Sequence, residues 1–144
     1  MTSPGRPLQQ FLCLDLYAAS RAVTARYRPI LEPLGLTYPQ YLVMAVLWER
    51  GPVTMTELGA ALQLDSGTLS PLVKRLADDG LVAKRRREQD ERTVEISPTP
   101  AGRALKRRAV KVPERICAAM GLTPAEMGAL QHTLRRLTEH VSTH

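Results

Sequence analysis

The chain has 144 residues, of which 44% are hydrophobic, and it carries a formal net charge of +6 at pH 7. This length allows one domain around one core and excludes a large multidomain enzyme. The positive charge favours a polyanionic partner, either a nucleic acid or an anionic membrane surface. The first residues lack the apolar run of a signal peptide, and no later stretch has the roughly 18 apolar residues of a membrane span. We therefore expect a cytoplasmic protein with no membrane partner.

The two cysteines, Cys13 and Cys117, lie far apart in the sequence. A permanent disulfide between them is not expected in a reducing compartment, and their spacing matches no zinc motif. The three histidines lie in or after the last predicted helix, and none has a neighbouring Cys/His pair. We therefore predict no metal and no other cofactor, which leaves redox chemistry or plain burial for the two thiols.

The N-terminal part of the chain predicts two helices. Apolar residues recur every three, four or seven positions between about residues 7 and 32, which indicates one long helix that can bend at Pro29. Gly35 ends this helix. The sequence Thr37-Tyr38-Pro39-Gln40 is a capping box, and it predicts the start of a second helix that stops at Gly51.

The middle of the chain predicts two short helices and a hairpin. Thr54-Met55-Thr56-Glu57 is another capping box and opens the third helix. Asp65 caps a fourth helix, which Gly80 ends and which has an apolar inward stripe. Two β-rich runs, Leu81-Val82-Ala83 and Thr93-Val94-Glu95-Ile96, flank a charged tip and predict a two-stranded wing. The stripe consists of Leu69, Leu72, Val73 and Leu76, and the tip of residues 84–91.

The C-terminal part predicts two more helices. Thr99-Pro100 supplies an N-cap and a proline at the first helical position, so a fifth helix is expected to run to about Met120 with an interruption at Pro113. Thr123-Pro124-Ala125-Glu126 starts a last helix, whose apolar residues step by three and four. This spacing is typical of a helix that packs along its length on another helix. Long helices of this kind at both ends of the chain favour a homodimer.

The predicted fold is mainly α with a small β-wing, a winged helix-turn-helix dimerised through its N- and C-terminal helices. We interpret residues 1–144 as a single domain. Within it, residues 1–36 and 100–144 are the expected dimerisation helices, and residues 37–99 are the expected winged helix-turn-helix DNA-binding region.

The fourth predicted helix and the wing have the residues of a DNA-binding surface. A helix that enters a major groove needs short polar or basic side chains on its outward N-terminal face, and a basic hairpin can follow the adjacent backbone. Arg92 is the best candidate for a minor-groove contact, with Asp90 placed to hold its guanidinium. The alternative is an ordinary solvated surface. The predicted DNA-binding residues are Ser66, Gly67, Thr68, Ser70, Pro71, Lys74, Arg75, Arg86, Arg87, Asp90 and Arg92.

Four short motifs occur in order along these elements and resemble the MarR family of dimeric bacterial repressors. They are Gly51-Pro52-Val53-Thr54, the run from Leu64 to Leu72, Asp90-Glu91-Arg92 and Thr99-Pro100-Ala101-Gly102. The resemblance covers nearly the whole chain. It implies that the terminal helices form the dimer interface and that two recognition helices bind successive major grooves of a pseudo-palindromic operator in double-stranded DNA.

The first helix also predicts a reactive thiol. Cys13, Tyr17 and Tyr27 share one helical face with two hydroxyl residues, although about 21 Å of helix separates Cys13 from Tyr27. If two copies of this helix cross antiparallel near Ser20, Tyr27 of one subunit reaches Cys13 of the other. Phenol hydroxyls that donate to sulfur stabilise the nucleophilic thiolate. The alternative is that Cys13 is a small buried hydrophobe among ordinary interface aromatics.

The segments around these residues, Leu12-Cys13, Leu16 to Arg21, Tyr27-Arg28-Pro29 and Leu34 to Tyr41, resemble the organic-hydroperoxide-resistance branch of the MarR family. The resemblance implies that Cys13 reacts with the peroxide and that Tyr27 and Tyr38 hydrogen-bond it across the dimer. It also implies that Cys117 is the resolving thiol of a two-cysteine member. We predict Tyr17, Tyr27 and Tyr38 as the thiol-supporting residues.

The leading functional hypothesis is a homodimeric repressor, not an enzyme, that leaves its operator after an organic hydroperoxide oxidises Cys13 and an intersubunit disulfide forms with Cys117. A second hypothesis keeps the fold but replaces the peroxide by a small phenolic or drug-like ligand. A thiol peroxidase and an architectural DNA-binding protein are the less favoured alternatives.

Overall fold

A computed structural model describes residues 7–143, except for the side chains of Gln9, Asp90, Glu91 and Arg92. The described chain is mainly helical with one small sheet, which confirms the predicted fold class. Two short 3-10 turns, Leu8–Gln10 and Glu32–Leu34, flank the first helix. The elements are α1 (Leu12–Leu31), α2 (Tyr38–Arg50), β1 (Val53–Thr54), α3 (Met55–Leu62), α4 (Ser66–Asp78), β2 (Val82–Arg87), β3 (Asp90–Pro98), α5 (Pro100–Ala109), α6 (Val112–Met120) and α7 (Pro124–Thr143).

Side-chain caps set the starts of α2 and α7 as the sequence predicts. The Thr37 hydroxyl accepts from the backbone N–H of Gln40 at 3.3 Å, and the Gln40 side chain accepts from the N–H of Thr37 at 2.9 Å. Thr123 and Glu126 form the same reciprocal pair at the start of α7. In both helices these bonds satisfy backbone donors that have no partner inside the helix.

The caps of α3 and α4 define the helix-turn-helix. The Asp65 carboxylate accepts from the N–H of Thr68 at 2.7 Å, and this bond lowers the pKa of Asp65. The Thr54 hydroxyl accepts from the N–H of Glu57 at 3.0 Å, but the Glu57 side chain makes no return bond among the described residues. The predicted capping box at α3 is therefore half formed.

The sheet is larger than the sequence predicts. It has three antiparallel strands in the order β1-β3-β2, with Val53 opposite Ile96 and Thr54 opposite Glu95. The prediction of two strands missed β1, because two residues are too short to show a β period. Residues 84–87, predicted as part of the charged tip of the wing, belong to β2, and a break in the pairing register lies between Arg86 and Arg87.

The predicted fifth helix is two helices. α5 ends at Ala109 and α6 begins at Val112, so the break comes just before Pro113. Proline has no N–H to donate back to the preceding turn, and it occupies the start of α6, where that donor is not needed. Pro29, by contrast, lies inside α1, which runs unbroken to Leu31.

The middle of the chain and its terminal segments differ in how far they bury their apolar side chains. Leu31, Val43, Met44, Leu47, Leu58, Leu69, Val73, Leu76 and Ile96 are fully buried, and all but Leu31 lie within residues 37–99. The large apolar side chains that stay exposed among the described residues all lie in the terminal segments. They are Leu8, Phe11, Leu12, Leu14, Tyr17, Val110, Met120, Leu130, Leu134 and Val141. The core is therefore centred on residues 37–99, and a few side chains of the flanking segments belong to the same cluster, namely Leu31, Leu36, Leu105, Ala109, Val112 and Ile116.

None of the described helices is by itself long and apolar enough to cross a bilayer. The bent pair Leu12–Leu34 and Tyr38–Arg50 reaches the required length and composition together, with an angle of 69° between its halves. The second half of this pair supplies Val43, Met44 and Leu47 to the buried core.

A close junction joins the end of α4 to α5. A Cβ atom on Gly102 would overlap the carbonyl oxygen of Leu81, so only glycine fits at this position. The Thr99 hydroxyl donates to the carbonyl of Gly80 at 2.6 Å, and the Thr99 N–H donates to the carbonyl of Leu81 at 3.1 Å. The Trp48 indole of α2 donates to the carbonyl of Gly102 at 2.9 Å. These contacts hold α2, α4 and α5 together as one body.

We expect Gly102→Ala to lower the free energy of unfolding by at least about 3 kcal/mol, because the new methyl group meets backbone that cannot move aside. The matched control is Gly128→Ala in α7, where nothing lies within 4 Å of the new Cβ. That variant should be stabilised by roughly 0.5–1 kcal/mol, because alanine favours the helix. Urea unfolding of both variants measures the two effects. Equal stability of the two proteins would contradict the close approach.

Candidate DNA-binding surface and thiol site

The outward face of α4 carries the predicted DNA-binding residues. Its inward face buries Leu69, Val73 and Leu76 against the core. The exposed positions of the helix include every α4 residue predicted to contact DNA: Ser66, Gly67, Thr68, Ser70, Pro71, Lys74 and Arg75. The cap on Asp65 fixes the N-terminal end, so the short side chains of the first turn project where a groove floor can approach.

The wing presents a row of cations on β2. Lys84, Arg85, Arg86 and Arg87 are all exposed, and Arg87 also pairs with Glu95 of β3 at 3.2 Å. This pair crosses the hairpin and fixes the direction of the Arg87 side chain. The proposed pairing of Asp90 with Arg92 lies outside the described side chains and stays a prediction.

The net charge of residues 37–99 does not explain how this region would attract DNA. Residues 37–99 contain eight Lys or Arg residues and nine Asp or Glu residues, so the region as a whole is not basic. The excess positive charge of the chain comes from the terminal segments, with Lys or Arg at five positions between 103 and 111. Attraction for phosphates in this region therefore depends on the local placement of the exposed cations on α4 and β2.

The structure brings two of the three predicted thiol-supporting tyrosines together. The rings of Tyr27 and Tyr38 stack with centroids 4.2 Å apart, and Tyr41 lies 5.8 Å from Tyr27. Tyr17 is separate, since its ring is 63% exposed and packs under Arg21 at 5.6 Å. Tyr41 was not among the predicted site residues, although it ends the segment Leu34 to Tyr41 that carries the resemblance.

The clustered phenols are held in their neutral form. Burial raises the pKa of Tyr27 to about 12, with further contributions from Tyr38, Tyr41 and Cys117. Burial also raises the pKa of Tyr38 and of Tyr41. Among the described residues, no hydrogen bond involves the hydroxyl of Tyr27 or Tyr38. At physiological pH both phenols are therefore O–H donors whose acceptor is not supplied by the described part of the protomer.

The two thiols lie near opposite ends of α1, although only Cys13 belongs to that helix. Cys13 is exposed in its first turn, and Tyr27 follows fourteen positions later, about 21 Å along the helix axis. Cys117 is exposed on α6, which packs against α1, and it is close enough to Tyr27 to affect the pKa of that phenol. One protomer thus gathers Tyr27, Tyr38 and Cys117 at one end and places Cys13 at the other.

A capped recognition helix with a polar outward face, joined to a basic hairpin, defines a winged helix-turn-helix DNA-binding protein. Residues 25–108 match the family model described as transcriptional regulator SarA/Rot. The chain is also 42% identical to the organic hydroperoxide resistance transcriptional regulator of Bacillus subtilis, over 92% of this chain and 90% of that protein. The protein belongs to the MarR/SarA family of winged-helix transcriptional regulators, which confirms the family resemblance.

Solved structures of AbfR, a protein of Staphylococcus epidermidis, have a fold similar to that of this chain. The chain matches reduced AbfR bound to DNA with a TM-score of 0.77 and 32% identity, over 90% of this chain and 91% of that chain. It matches disulfide-formed AbfR with a TM-score of 0.65 and 36% identity, over 88% and 89% of the two chains. The relatives are transcriptional regulators, as the sequence predicts for this protein.

The raised pKa of Tyr27 predicts that the folded protein loses stability at high pH. An acid whose pKa is higher in the folded state contributes its stability fully below the unfolded value of 10.0, and this contribution is lost as pH rises to about 12. We therefore expect the free energy of unfolding to fall between about pH 10 and pH 12, and to fall less steeply in Tyr27→Phe. Chemical denaturation across this range measures both slopes. Tyr17→Phe, on an exposed ring, is the control and should keep the wild-type slope.

Proposed function

We propose that the protein is a homodimeric transcriptional repressor that leaves its operator when an organic hydroperoxide oxidises Cys13. The observation that carries the proposal is the division of the thiol site, with Cys13 at one end of α1 and two neutral phenols and a second thiol at the other. The relationship to a hydroperoxide resistance regulator supports the same chemistry. A protein that acts on an operator works in the cytoplasm, where the DNA is.

The exposed apolar surface of the terminal helices supports the dimer. α7 has no buried residue in the described protomer, yet it carries Leu130, Leu134 and Val141 on its surface. α1 likewise exposes Phe11, Leu12 and Leu14. Surfaces of this extent mark interaction sites, because apolar area left in water is unfavourable. A second copy of the same helices covers both surfaces in one symmetric interface.

The dimer also completes the thiol site. Two α1 helices that cross antiparallel near Ser20 bring Cys13 of each protomer to Tyr27 and Tyr38 of the other. The phenols then donate to the Cys13 thiolate, which supplies the acceptor that they lack within one chain. Cys117 arrives with them because it lies on α6, which packs against α1, and is near enough to Tyr27 to raise the pKa of that phenol. A disulfide needs Cα atoms roughly 4–7 Å apart, so the bond between Cys13 and Cys117 forms between subunits.

The proposed reaction has two steps. The Cys13 thiolate attacks one oxygen of the hydroperoxide and the O–O bond breaks, so sulfur loses two electrons and becomes a sulfenic acid. The alkoxide that leaves takes up a proton and becomes the alcohol. The Cys117 thiol then attacks the sulfenic sulfur, the S–O bond breaks, and water leaves as the S–S bond forms.

Release of DNA follows from the change in spacing between the two recognition helices. Both copies of α4 must enter successive major grooves together, which requires a fixed distance of about one helical turn of DNA. A disulfide that draws α1 and α6 of different protomers together shifts the attached DNA-binding regions.

We expect Cys13→Ser to bind the operator as the wild type does and to stay bound after treatment with cumene hydroperoxide. Operator binding before and after peroxide, with intact mass of the protein, measures the response. Cys117→Ser should still be oxidised at Cys13 but should give no crosslinked dimer on a nonreducing gel. Release of DNA by oxidised Cys13→Ser would show that the sensor is elsewhere.

The recognition surface generates a prediction of its own. Arg75→Gln should weaken binding to all sequences alike, because its guanidinium is expected to neutralise a backbone phosphate. The slope of log affinity against log salt should fall by about 1 for each phosphate that is no longer neutralised, hence by about 2 for a dimer. Arg103→Gln removes the same charge from the exposed face of α5 and is the matched control. Equal slopes for the two variants would mean that Arg75 acts only through net charge.

A further inference from the structure

Four aromatic rings form a continuous row from the thiol-supporting tyrosines to the junction at α5. Tyr38 stacks on Tyr27 at 4.2 Å, Tyr27 lies 5.8 Å from Tyr41, and Tyr41 meets Trp48 edge to face at 6.1 Å. These centroid distances are those of direct aromatic contact. We call Tyr38, Tyr27, Tyr41 and Trp48 the aromatic row.

The row ends on the backbone that holds the recognition helix. The Trp48 indole donates to the carbonyl of Gly102 at 2.9 Å, and the Lys106 amine donates to the carbonyl of Trp48 at 3.5 Å. Gly102 in turn packs directly on the carbonyl of Leu81, the third residue after the end of α4. A movement of the indole therefore reaches the end of the recognition helix through contacts that leave no free space.

The aromatic row spans two helices. Tyr27 is on α1, whereas Tyr38, Tyr41 and Trp48 are all on α2. The contact of Tyr27 with Tyr38 and Tyr41 is thus where the dimerisation helix meets the DNA-binding body. Tyr41 is 7% exposed and Val43 and Met44 beside it are fully buried, so the ring has little room to move alone.

We propose that Tyr41 and Trp48 are the residues that couple the thiol site to the recognition helix. The proposal rests on the proposed function and names its regulation. When Cys13 becomes part of a disulfide, the anionic sulfur that accepts from Tyr27 and Tyr38 is lost, and these two phenols take new positions. Because the neighbouring rings are close-packed, Tyr41 passes the displacement to α2, and the Trp48 hydrogen bond carries it to Gly102 and α4.

The first experiment separates sensing from release. The ratio of the operator dissociation constants of the oxidised and reduced proteins measures the coupling. In Trp48→Phe, which keeps a ring but loses the donor to Gly102, we expect this ratio to fall about tenfold or more. The rate of Cys13 oxidation by cumene hydroperoxide, followed by intact mass, should stay within about twofold of the wild type. A Trp48→Phe protein that releases DNA as fully as the wild type overturns the proposal.

Conservative variants distinguish coupling from a loss of stability. Tyr41→Phe keeps the ring and should keep the wild-type ratio, whereas Tyr41→Leu removes the ring and should lower it about as much as Trp48→Phe. Val53→Ala removes buried volume from β1, outside the aromatic row, and serves as the destabilised control with an unchanged ratio. Equal ratios for Tyr41→Phe and Tyr41→Leu overturn the proposal, as does a Val53→Ala protein that loses coupling.

Trp48 also reports on its own position, because it is the only tryptophan in the chain. Its emission spectrum should shift when the free wild-type dimer is oxidised, and it should not shift in Cys13→Ser. If the wild type releases DNA on oxidation while its tryptophan emission stays the same, the proposed function stands and the coupling through Trp48 fails. If the oxidised wild type does not release DNA at all, the proposed function itself fails.

Discussion

The rigidity of a single α-helix governs the whole thiol site. Cys13 and Tyr27 lie fourteen positions apart on α1, so about 21 Å of helix separates them within one protomer. Tyr38 and Cys117 lie at the Tyr27 end, through a ring stack and through the packing of α6 on α1. Chemistry that joins the two ends must use two protomers. In the proposed function, oxidation at such a site therefore changes the relation between subunits.

Local signals predicted the recognition helix and failed where distant residues decide the structure. The caps at Thr37, Asp65 and Thr123 depend on hydrogen bonds to residues three positions away, so the sequence alone is enough to find them. β1 exists only because it pairs with β3, more than forty positions later, and no local pattern records that pairing. The Glu57 side chain has the spacing of a capping box but makes no return bond, since spacing permits such a bond without requiring it.

The same distinction applies to the functional residues. The exposed face of α4 follows from helical periodicity, and the structure shows the predicted residues on it. Tyr41 and Trp48 look like core residues in the sequence, and their contacts with Tyr27 and Gly102 depend on how α1 and α5 pack on α2. Net charge was a poor guide to location, because the excess of cations lies on α5 while the DNA-binding region has slightly more acidic than basic residues.

In the proposed function, the distribution of buried and exposed apolar side chains lets one fold both hold DNA and respond to a thiol. The core is centred on residues 37–99, and the contact of Gly102 with Leu81 leaves no room for deformation at the base of the wing. A closely packed region moves as a unit, so a displacement where it meets α1 rotates the whole region. The terminal helices have exposed apolar surfaces, which a second subunit covers in the proposed dimer. A sensor in that second region can change the distance between two recognition helices while each helix keeps the structure that reads DNA.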